Sequence, residues 1–291
     1  MSFRDCPGVQ WQHSPTMKDI ASGNFAAFPT QLWPPEALRV VDWNIDRGLA
    51  LPRIIDFLHA QRADVLTLQE VDLNARRTHF LNVAEVLARK LRLNYVFGRE
   101  FQELTQGTRS SPAFHGQATL SRWPLTNARV IRFRYQSRFW RPRWYLPNKE
   151  PFQERTGGRI ALVTEIDVLG RALTVYNLHL ESRGNDDLRL AQFKEVLEDA
   201  ANWAPRRQVL VAGDLNFDVS EERTGLIARS GLHNVLGQSH LYTRPARGLF
   251  GNARFIDWAF VSGRVEATLG RVHATGKASD HYPISFTLRF T

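Results

Sequence analysis

The sequence has a single cysteine, Cys6, and no long apolar run. One cysteine excludes an internal disulfide framework. No stretch approaches the roughly 18 consecutive apolar residues that a membrane-spanning helix needs. The first twenty residues also lack a basic start followed by an apolar segment, so no secretory signal is visible. We therefore expect a soluble protein located in the cytoplasm.

Lysine is scarce, and the positive charge is carried almost entirely by arginine. Lysine and arginine together number 38 against 29 acidic residues, which gives a net charge of +9. Arginine guanidinium groups bind phosphate oxygens and stack on bases, so a polyanionic partner would explain this excess of positive charge. An arginine-biased genome that places arginine on every solvated face would explain it equally well, and the charge alone does not decide between them.

The chain shows no internal repeat, low-complexity tract or linker. Residues 1–36 contain five prolines and no sustained periodicity, and are predicted to form an irregular N-terminal arm. Residues 37–291 are predicted to form a single domain of roughly ten strands and three or four helices. The clearest predicted strands are 38–44, 63–70, 95–101, 117–122, 159–169, 172–180, 208–216, 255–262 and 284–290; helical spacing covers 54–58, 78–91 and 187–202. Two packed sheets flanked by helices fit this inventory.

Polar residues follow or interrupt many of these apolar runs. They are Asn44, Asp46, Glu70, Asn177, His179, Asp214, Asn216, Asp257, Asp280 and His281. Taken singly, each has an ordinary interpretation as a turn, cap or satisfied core residue. Ionised carboxylates at buried strand ends are costly unless they are paired or bound to metal. Carboxylates and amides that converge without cysteine suit Mg²⁺ or Mn²⁺, and histidines beside them could assist phosphate chemistry.

Seven motifs carry a family resemblance. "WNID", "LQEVD", "GQATLSRWP", "NLHLES", "GDLN", "RFIDWAF" and "SDHYP" are similar, in order and spacing, to those of the endonuclease/exonuclease/phosphatase superfamily. The resemblance spans residues 38 to 290, which is all but the N-terminal arm. It implies an α+β fold, a four-layer α/β/β/α sandwich of two packed mixed, largely antiparallel sheets, with the site at one edge of the sheets.

The resemblance also implies a metal-binding group of four residues. Glu70 would be the principal carboxylate ligand of Mg²⁺ or Mn²⁺, and Asn44 would help to position the metal or the phosphate. Asp46 would be a nearby accessory acid, and Asp280 a further ligand or site acid. Hydrolysis by this group would require the metal.

Five further residues would carry the catalysis that the resemblance implies. Asp214 would orient or deprotonate the attacking water, and Asn216 would hold the phosphate or the transition state. His281 would contact the scissile phosphate, with Asp257 fixing its tautomer. His179 would donate to a phosphate oxygen or help to protonate the leaving group. The implied reaction is in-line attack of water without a covalent enzyme intermediate.

The segment 132–159 is the most distinctive insertion, because arginines alternate with aromatic residues along it. Such a mixture suits a nucleic-acid groove, with charge for the backbone and aromatic faces for bases. Two alternatives stay open: a hairpin whose aromatics pack inward, and a surface that touches lipid. The candidate substrate-binding residues are Arg76, Arg77, Arg138, Trp140, Arg143, Trp144, Arg159 and Asn177.

Two classes of function fit these residues. The first is a metal-dependent DNA nuclease or DNA-end phosphodiesterase, for which DNA is the expected partner. The second is a phosphatase or sphingomyelinase-like phospholipase C that acts on inositol phosphates or phospholipids, with a membrane surface as its partner. No protein partner is inferred. Superfamily membership does not choose between these classes, because substrate choice resides in loops grafted on the fold.

Overall fold

The computed structural model describes residues 19–27, 33–149, 151–219, 221–236, 242–246, 252–268, 270–274 and 278–291. The strands in these residues are β1 (Ile20–Gly23), β2 (Ala37–Arg47), β3 (Val65–Leu73), β4 (Asn94–Glu103), β5 (Ala113–Ser121), β6 (Leu125–Arg132), β7 (Arg155–Gly157), β8 (Ile160–Val168), β9 (Arg171–His179), β10 (Gln208–Asp214), β11 (Leu232–Asn234), β12 (Asp257–Ser262), β13 (Val265–Ala267), β14 (Arg271–Val272) and β15 (Ile284–Phe290). The helices are α1 (Leu51–Gln61), α2 (Val83–Leu91), α3 (Asp186–Ala201) and α4 (Glu221–Arg229).

The strands form two sheets. The larger sheet has the order β1-β4-β5-β3-β2-β15-β13, with β14 paired to β15 and β7 to β4. The smaller sheet has the order β11-β12-β10-β9-β8-β6. Pairing is antiparallel except between β2 and β3 in the larger sheet and between β9 and β10 in the smaller one. Both parallel pairs are central, so they align the carboxyl ends of four strands at one edge of the sandwich.

Helices cover the outer face of each sheet. In α1, Ile54 and Leu58 are buried against the larger sheet, in a core cluster that also contains α2. In α3, Phe193 and Leu197 are buried against the smaller sheet. Asn82 and Asn185 cap α2 and α3 by accepting hydrogen bonds from backbone N–H groups of the first turn. The predicted α+β, four-layer sandwich is confirmed.

A polar network lies between the two sheets. Asn177 of the smaller sheet donates to the backbone carbonyls of Leu68 and Ala118 in the larger sheet, at 3.1 and 3.0 Å. Its oxygen accepts from Gln69 at 2.8 Å, and Gln69 also donates to Asp42 at 2.9 Å. These side chains are fully buried. Because buried amides are costly unless they are paired, this network links the sheets in one relative position.

Two local differences from the sequence-based prediction have clear causes. Residues 20–23, within the segment expected to be irregular, form β1 and pair with β4 at the sheet edge. The helix predicted over 78–91 begins at Val83, because the chain first makes a short 3₁₀ turn and then places His79 and Phe80 at positive φ. Phe80 is consequently exposed rather than packed inward. The first eighteen residues of the expected arm lie outside the described residues.

None of the helices in the described ranges combines the length and the apolar character needed to cross a bilayer.

Candidate active site

Two β-bulges shape the half of the site that belongs to the larger sheet. The pairing of β2 with β3 shifts register between Asn44 and Arg47, and the pairing of β3 with β5 shifts between Leu68 and Val71. Within these bulges Asp46 and Glu70 adopt positive φ angles of 41° and 52°. Left-handed backbone is strained for such residues and is found mainly where a side chain must be re-aimed. Side chains of a regular strand point alternately to its two faces, and the bulge releases the Glu70 carboxylate from this alternation.

Three neighbouring strands bring the other half of the site together. Asp214 at the end of β10 lies opposite His179 in β9 and opposite Asp257 in β12. Gly213, just before Asp214, has a φ of 144°, and a side chain there would place Cβ 2.1 Å from the carbonyl oxygen of Leu178. Glycine is thus required for the close approach of β9 and β10 that sets Asp214 beside His179.

The segment "SDHYP" is fastened to β2 of the larger sheet. The Ser279 hydroxyl donates to the carbonyl oxygen of Asn44 at 2.6 Å and accepts from the backbone N–H of His281 at 3.1 Å. The indole N–H of Trp43 donates to the carbonyl oxygen of His281 at 2.9 Å. The serine and tryptophan thereby fix the backbone that carries His281, although the last strand lies far away in sequence.

The polar side chains converge around one oxygen of Asp214. Its Oδ2 lies 3.2 Å from Asn44 Nδ2, 3.6 Å from His179 Nε2 and 3.7 Å from His281 Nε2. Glu70 Oε1 lies 3.5 Å from the same Asn44 nitrogen and 4.0 Å from His179 Nε2. Five residues from both sheets and from the C-terminal segment thus face a common centre.

Asp257 controls the protonation of His281. Its carboxylate contacts His281 Nδ1 at 2.9 Å, which leaves Nε2 directed toward Asp214. Burial alone would lower the pKa of His281, but the charges of Asp257 and Asp214 raise it to about 10. His281 is therefore an imidazolium at neutral pH. Burial and the neighbouring Asp257 raise the pKa of Asp214 to about 7, a value that suits a group exchanging a proton near neutral pH.

Arg159 fixes the tautomer of His179. The Arg159 guanidinium lies 2.9 Å from His179 Nδ1 and donates to Glu100 at 2.8 Å and to Ser182 at 2.8 Å. A guanidinium has no acceptor, so His179 Nδ1 accepts and the ring proton is on Nε2. Burial and the charge of Arg159 keep the pKa of His179 well below its ordinary value. His179 is thus a neutral N–H donor aimed at Glu70 and Asp214.

Comparison with known proteins identifies the family of the chain. The sequence model of the Endonuclease/Exonuclease/phosphatase family matches residues 43–281, most of the chain. The chain belongs to the endonuclease/exonuclease/phosphatase family. Members of this family are metal-dependent phosphoric ester hydrolases, and the protein is a hydrolase of this class. A comparison with curated protein sequences finds no match.

Solved structures of this family share the fold. The endonuclease/exonuclease/phosphatase from Beutenbergia cavernae is similar with a TM-score of 0.62 and 23% identity, over 88% of this chain and 72% of that one. The human Nocturnin catalytic domain with bound sulfate has a TM-score of 0.63 and 18% identity, over 94% and 97% of the two chains. TDP2 from Caenorhabditis elegans has a TM-score of 0.60 and 18% identity, over 87% and 75%.

The oxygen donors of the site fit the hard divalent cation on which this family depends. Burial would raise the pKa of Glu70, but His115, His179 and nearby arginines outweigh it and hold this pKa well below the ordinary value. Glu70 is thus ionised, and its side chain is 21% exposed at the mouth of the site. Asp214, Asp257 and His281 form a second, buried group of donor atoms within 4.8 Å of one another. Because Asp257 already binds His281, Glu70 is the better placed ligand.

The other three expected metal residues, Asn44, Asp46 and Asp280, contact other groups of the protein. The Asn44 side-chain nitrogen, not its oxygen, faces Glu70 and Asp214; the oxygen accepts from the backbone N–H of Asp46. The carboxylate of Asp46 forms an ion pair with Arg47 at 2.6 Å. Asp280 lies 3.8 Å from the guanidinium of Arg244. As placed, Asn44 is a donor that positions carboxylate or phosphate oxygens.

Asn216 follows β10 directly. Its backbone N–H donates to the Asp214 side chain at 2.8 Å, and its amide nitrogen donates to the Leu180 carbonyl at 3.1 Å. Its φ is 55°, a left-handed conformation that asparagine tolerates better than most residues. Through its backbone N–H, the residue steadies the Asp214 carboxylate.

Three expected substrate-binding residues have structural partners instead. Asn177 is fully buried and bridges the two sheets, as described above. Arg77 is bound in a bidentate pair by Asp72, at 2.6 and 2.7 Å, and also by Glu103. Arg159 is 97% buried and holds His179. The interior position of Asn177 leaves it no surface for a substrate, whereas Arg76 is exposed on the 3₁₀ turn.

The aromatic residues of the 132–159 segment divide between core and surface. Trp140 is buried, and its indole N–H donates to Glu181 at 2.9 Å. Trp144 is 95% exposed and lies edge-on to Tyr145, and Arg138 is also exposed. Arg143 is half-buried, and its backbone N–H donates to Gln153 at 2.7 Å. The segment is thus neither a hairpin with all aromatics inward nor a fully exposed aromatic surface.

A third buried histidine, His115, was not predicted from the sequence. His115 in β5 contacts Asp72 through Nδ1 at 2.9 Å, and its Nε2 is buried without a partner in the described residues. Together with His179 and nearby arginines, it helps to hold the pKa of Glu70 below its ordinary value. Glu100, which anchors Arg159, was also missed. The available signal was a histidine or glutamate inside an otherwise apolar strand, at "AFHGQATLS" and "VFGREF".

Proposed function

We propose that the protein is a Mg²⁺- or Mn²⁺-dependent phosphodiesterase acting on nucleic acid, most simply a DNA nuclease or DNA-end-processing enzyme. The observation that carries this proposal is the convergence of Glu70, Asp214, His179 and His281 around one centre, with His281 held by Asp257. The arrangement provides a carboxylate for a cation, a base of suitable pKa and two N–H donors for a phosphate.

The residues divide the reaction among them. Asp214 orients the attacking water and accepts its proton, for which its raised pKa is suited. His281, as an imidazolium, donates Nε2–H to a non-bridging phosphate oxygen, and Asp257 keeps it protonated. His179 donates its Nε2–H to a second oxygen of the phosphate. As the water oxygen bonds to phosphorus, the P–O ester bond opposite to it breaks, and the leaving oxygen takes up a proton from bulk water. Glu70 would hold Mg²⁺ or Mn²⁺, which supplies positive charge that stabilises the transition state.

The surface beside Glu70 favours nucleic acid over an uncharged substrate. Arginines 143 and 183 lie near it together with exposed Phe139 and Phe152. Guanidinium groups match phosphate oxygens, and aromatic faces accept unpaired bases. The net charge of +9 adds long-range attraction for a polyanion.

A panel of substrates with Mg²⁺ and with Mn²⁺ tests the proposal. It contains supercoiled plasmid, single-stranded DNA, a 5′-tyrosyl oligonucleotide, sphingomyelin and inositol phosphates. We expect cleavage of at least one DNA substrate, loss of cleavage in excess chelator, and a loss of about a hundredfold or more in Asp214→Asn. Asp167→Asn, which changes an exposed carboxylate near the end of β8, is the matched control.

The panel also separates the competing function. Hydrolysis confined to sphingomyelin or inositol phosphates would replace the proposal by a lipid or small-molecule phosphatase. The exposed Trp144 and Tyr145 would then be membrane contacts. Near-normal DNA cleavage by Asp214→Asn would refute the catalytic assignment itself.

A further inference from the structure

A small cavity opens directly beside Glu70. It has a volume of about 200 Å³ and is walled by the 132–159 segment on one side and by the residues after β9 on the other. Glu70 and Arg47 are both part of its lining. Arg155 and Arg159 form further parts of its wall. The cavity is therefore continuous with the centre where the scissile phosphate is proposed to bind.

The arginines of the cavity fall into two groups. Arg47, Arg155 and Arg159 each pair with a carboxylate of the fold, at 2.6, 3.0 and 2.8 Å. Arg143 and Arg183 differ: in the described part of the chain, no carboxylate oxygen lies within ion-pairing distance of either guanidinium. Two positive groups are thus left to face an outside anion.

Phe139 contacts both of these guanidinium groups. The Arg183 guanidinium carbon lies 5.0 Å from the centre of the Phe139 ring, and that of Arg143 lies 5.8 Å from it. The ring in turn packs edge-on against the buried Trp140, with centres 4.7 Å apart. The phenyl ring attracts both cations and limits their movement. Phe139, Arg143 and Arg183 therefore line one wall of the same cavity.

The size of the cavity limits what this pair can bind. Pockets that enclose a drug-sized ligand measure roughly 300–1,000 Å³, so about 200 Å³ is too small for a whole nucleotide. It suits one compact anionic group. Each guanidinium group offers two parallel N–H donors, an arrangement that matches the oxygens of a phosphate.

We propose that Arg143 and Arg183 form a subsite for a second phosphate group of the substrate, next to the phosphate that is cleaved. This inference rests on the proposed function, since it assumes a nucleic-acid substrate, and it defines that substrate more closely. The preferred substrate carries a neighbouring phosphate, either an internucleotide diester or a terminal monoester. A nucleotide ester with a single phosphate would leave the subsite empty.

The test compares short thymidine substrates that differ only in phosphate number. TpT has one phosphate, TpTpT adds a second diester, and pTpT and TpTp add a terminal monoester at either end. With Mn²⁺ present, we expect kcat/KM per scissile bond to rise at least about tenfold over TpT for one or more of the substrates with a second phosphate. Comparing TpTpT with pTpT and TpTp shows whether a diester or a terminal monoester occupies the subsite.

Substitutions then assign the effect to the two arginines. In Arg143→Gln and Arg183→Gln, the ratio of kcat/KM between the better substrate and TpT should fall toward one. The salt dependence of kcat/KM should weaken by about one phosphate contact in each. Arg141→Gln, an exposed arginine of the same segment that does not line the cavity, is the control and should keep the wild-type ratio.

The outcomes separate this inference from the proposed function. Equal kcat/KM for TpT and all the substrates with a second phosphate would overturn the inference while leaving nucleic-acid hydrolysis intact. A variant ratio equal to wild type would also overturn it. If the wild-type protein cleaves none of the four substrates and none of the DNA in the larger panel, the proposed function fails, and the subsite assignment fails with it.

Discussion

The buried carboxyl group of Asp42 makes stability depend on pH in a way that one substitution should remove. Asp42 is fully buried; its Oδ1 accepts from Thr67 at 2.6 Å and from Gln69 at 2.9 Å, and its Oδ2 has no partner in the described residues. Burial, with smaller contributions from Asp257 and Asp214, raises its pKa from 3.8 to about 8. The folded protein therefore keeps a proton that the unfolded chain releases.

The sign and size of the effect follow from proton linkage. Between about pH 5 and pH 8 the folded form of Asp42 is protonated and the unfolded form is ionised, so rising pH favours the unfolded chain. Each pH unit in this window removes about 1.4 kcal/mol of stability, or about 4 kcal/mol over three units. In Asp42→Asn this contribution disappears, because the amide does not titrate.

Urea denaturation at about pH 5, 6, 7 and 8 measures the difference directly. The amide leaves an unpaired N–H₂ at the former Oδ2 position, so a constant cost of about 1–3 kcal/mol is expected at every pH. Relative to wild type, Asp42→Asn should therefore be least stable at pH 5 and gain about 4 kcal/mol by pH 8. A stability difference that is the same at all four pH values would refute a neutral Asp42.

Three further predictions concern catalysis. Glu70→Gln should lower turnover by about a hundredfold or more and raise the Mn²⁺ concentration needed for half-maximal activity, because a carboxylate ligand is lost; an unchanged Mn²⁺ titration would contradict this assignment. Asp257→Asn should shift the alkaline limb of the kcat–pH profile to lower pH, since the carboxylate that raises the pKa of His281 is gone; an unmoved limb would show that activity does not require the imidazolium form of His281. Arg159→Lys should reduce kcat by about tenfold or more with little change in KM, because a lysine cannot contact Glu100, Ser182 and His179 together; wild-type kcat would show that the tautomer of His179 is not controlled there.

The larger elements of the fold are readable from the sequence because their patterns are local. β2, β9, β10 and β15 overlap the predicted strands, since buried strands appear as apolar runs that end in polar residues. The strands β7, β11, β13 and β14 are two or three residues long and exist only through their partners, so no local pattern marks them. The helix α4 was also not predicted, because its sequence, "EERTGLIAR", has a weak apolar face.

The site was only partly readable, because its details depend on partners distant in sequence. Motif order suggested Glu70 and Asp214, and the structure brings them together. The bulge that gives Glu70 a positive φ is a property of pairing between strands. Arg159 looked like a surface arginine in a basic segment, and only the fold reveals Glu100, 59 residues away, beneath it. Asn177 had the same polar character as the site residues, although it faces the opposite sheet.

The Asn177 bridge has a consequence for catalytic precision. Glu70 and Asn44 belong to one sheet, whereas Asp214, His179 and Asp257 belong to the other, so the site straddles a plane along which two sheets could slide. The hydrogen bonds of Asn177 to Leu68 and Ala118 cross this plane directly behind Glu70. They hold the two sheets in one relative position. Weakening these hydrogen bonds would shift the site residues of one sheet relative to those of the other without unfolding either sheet. Catalytic activity would therefore be more sensitive to sheet alignment than the free energy of unfolding.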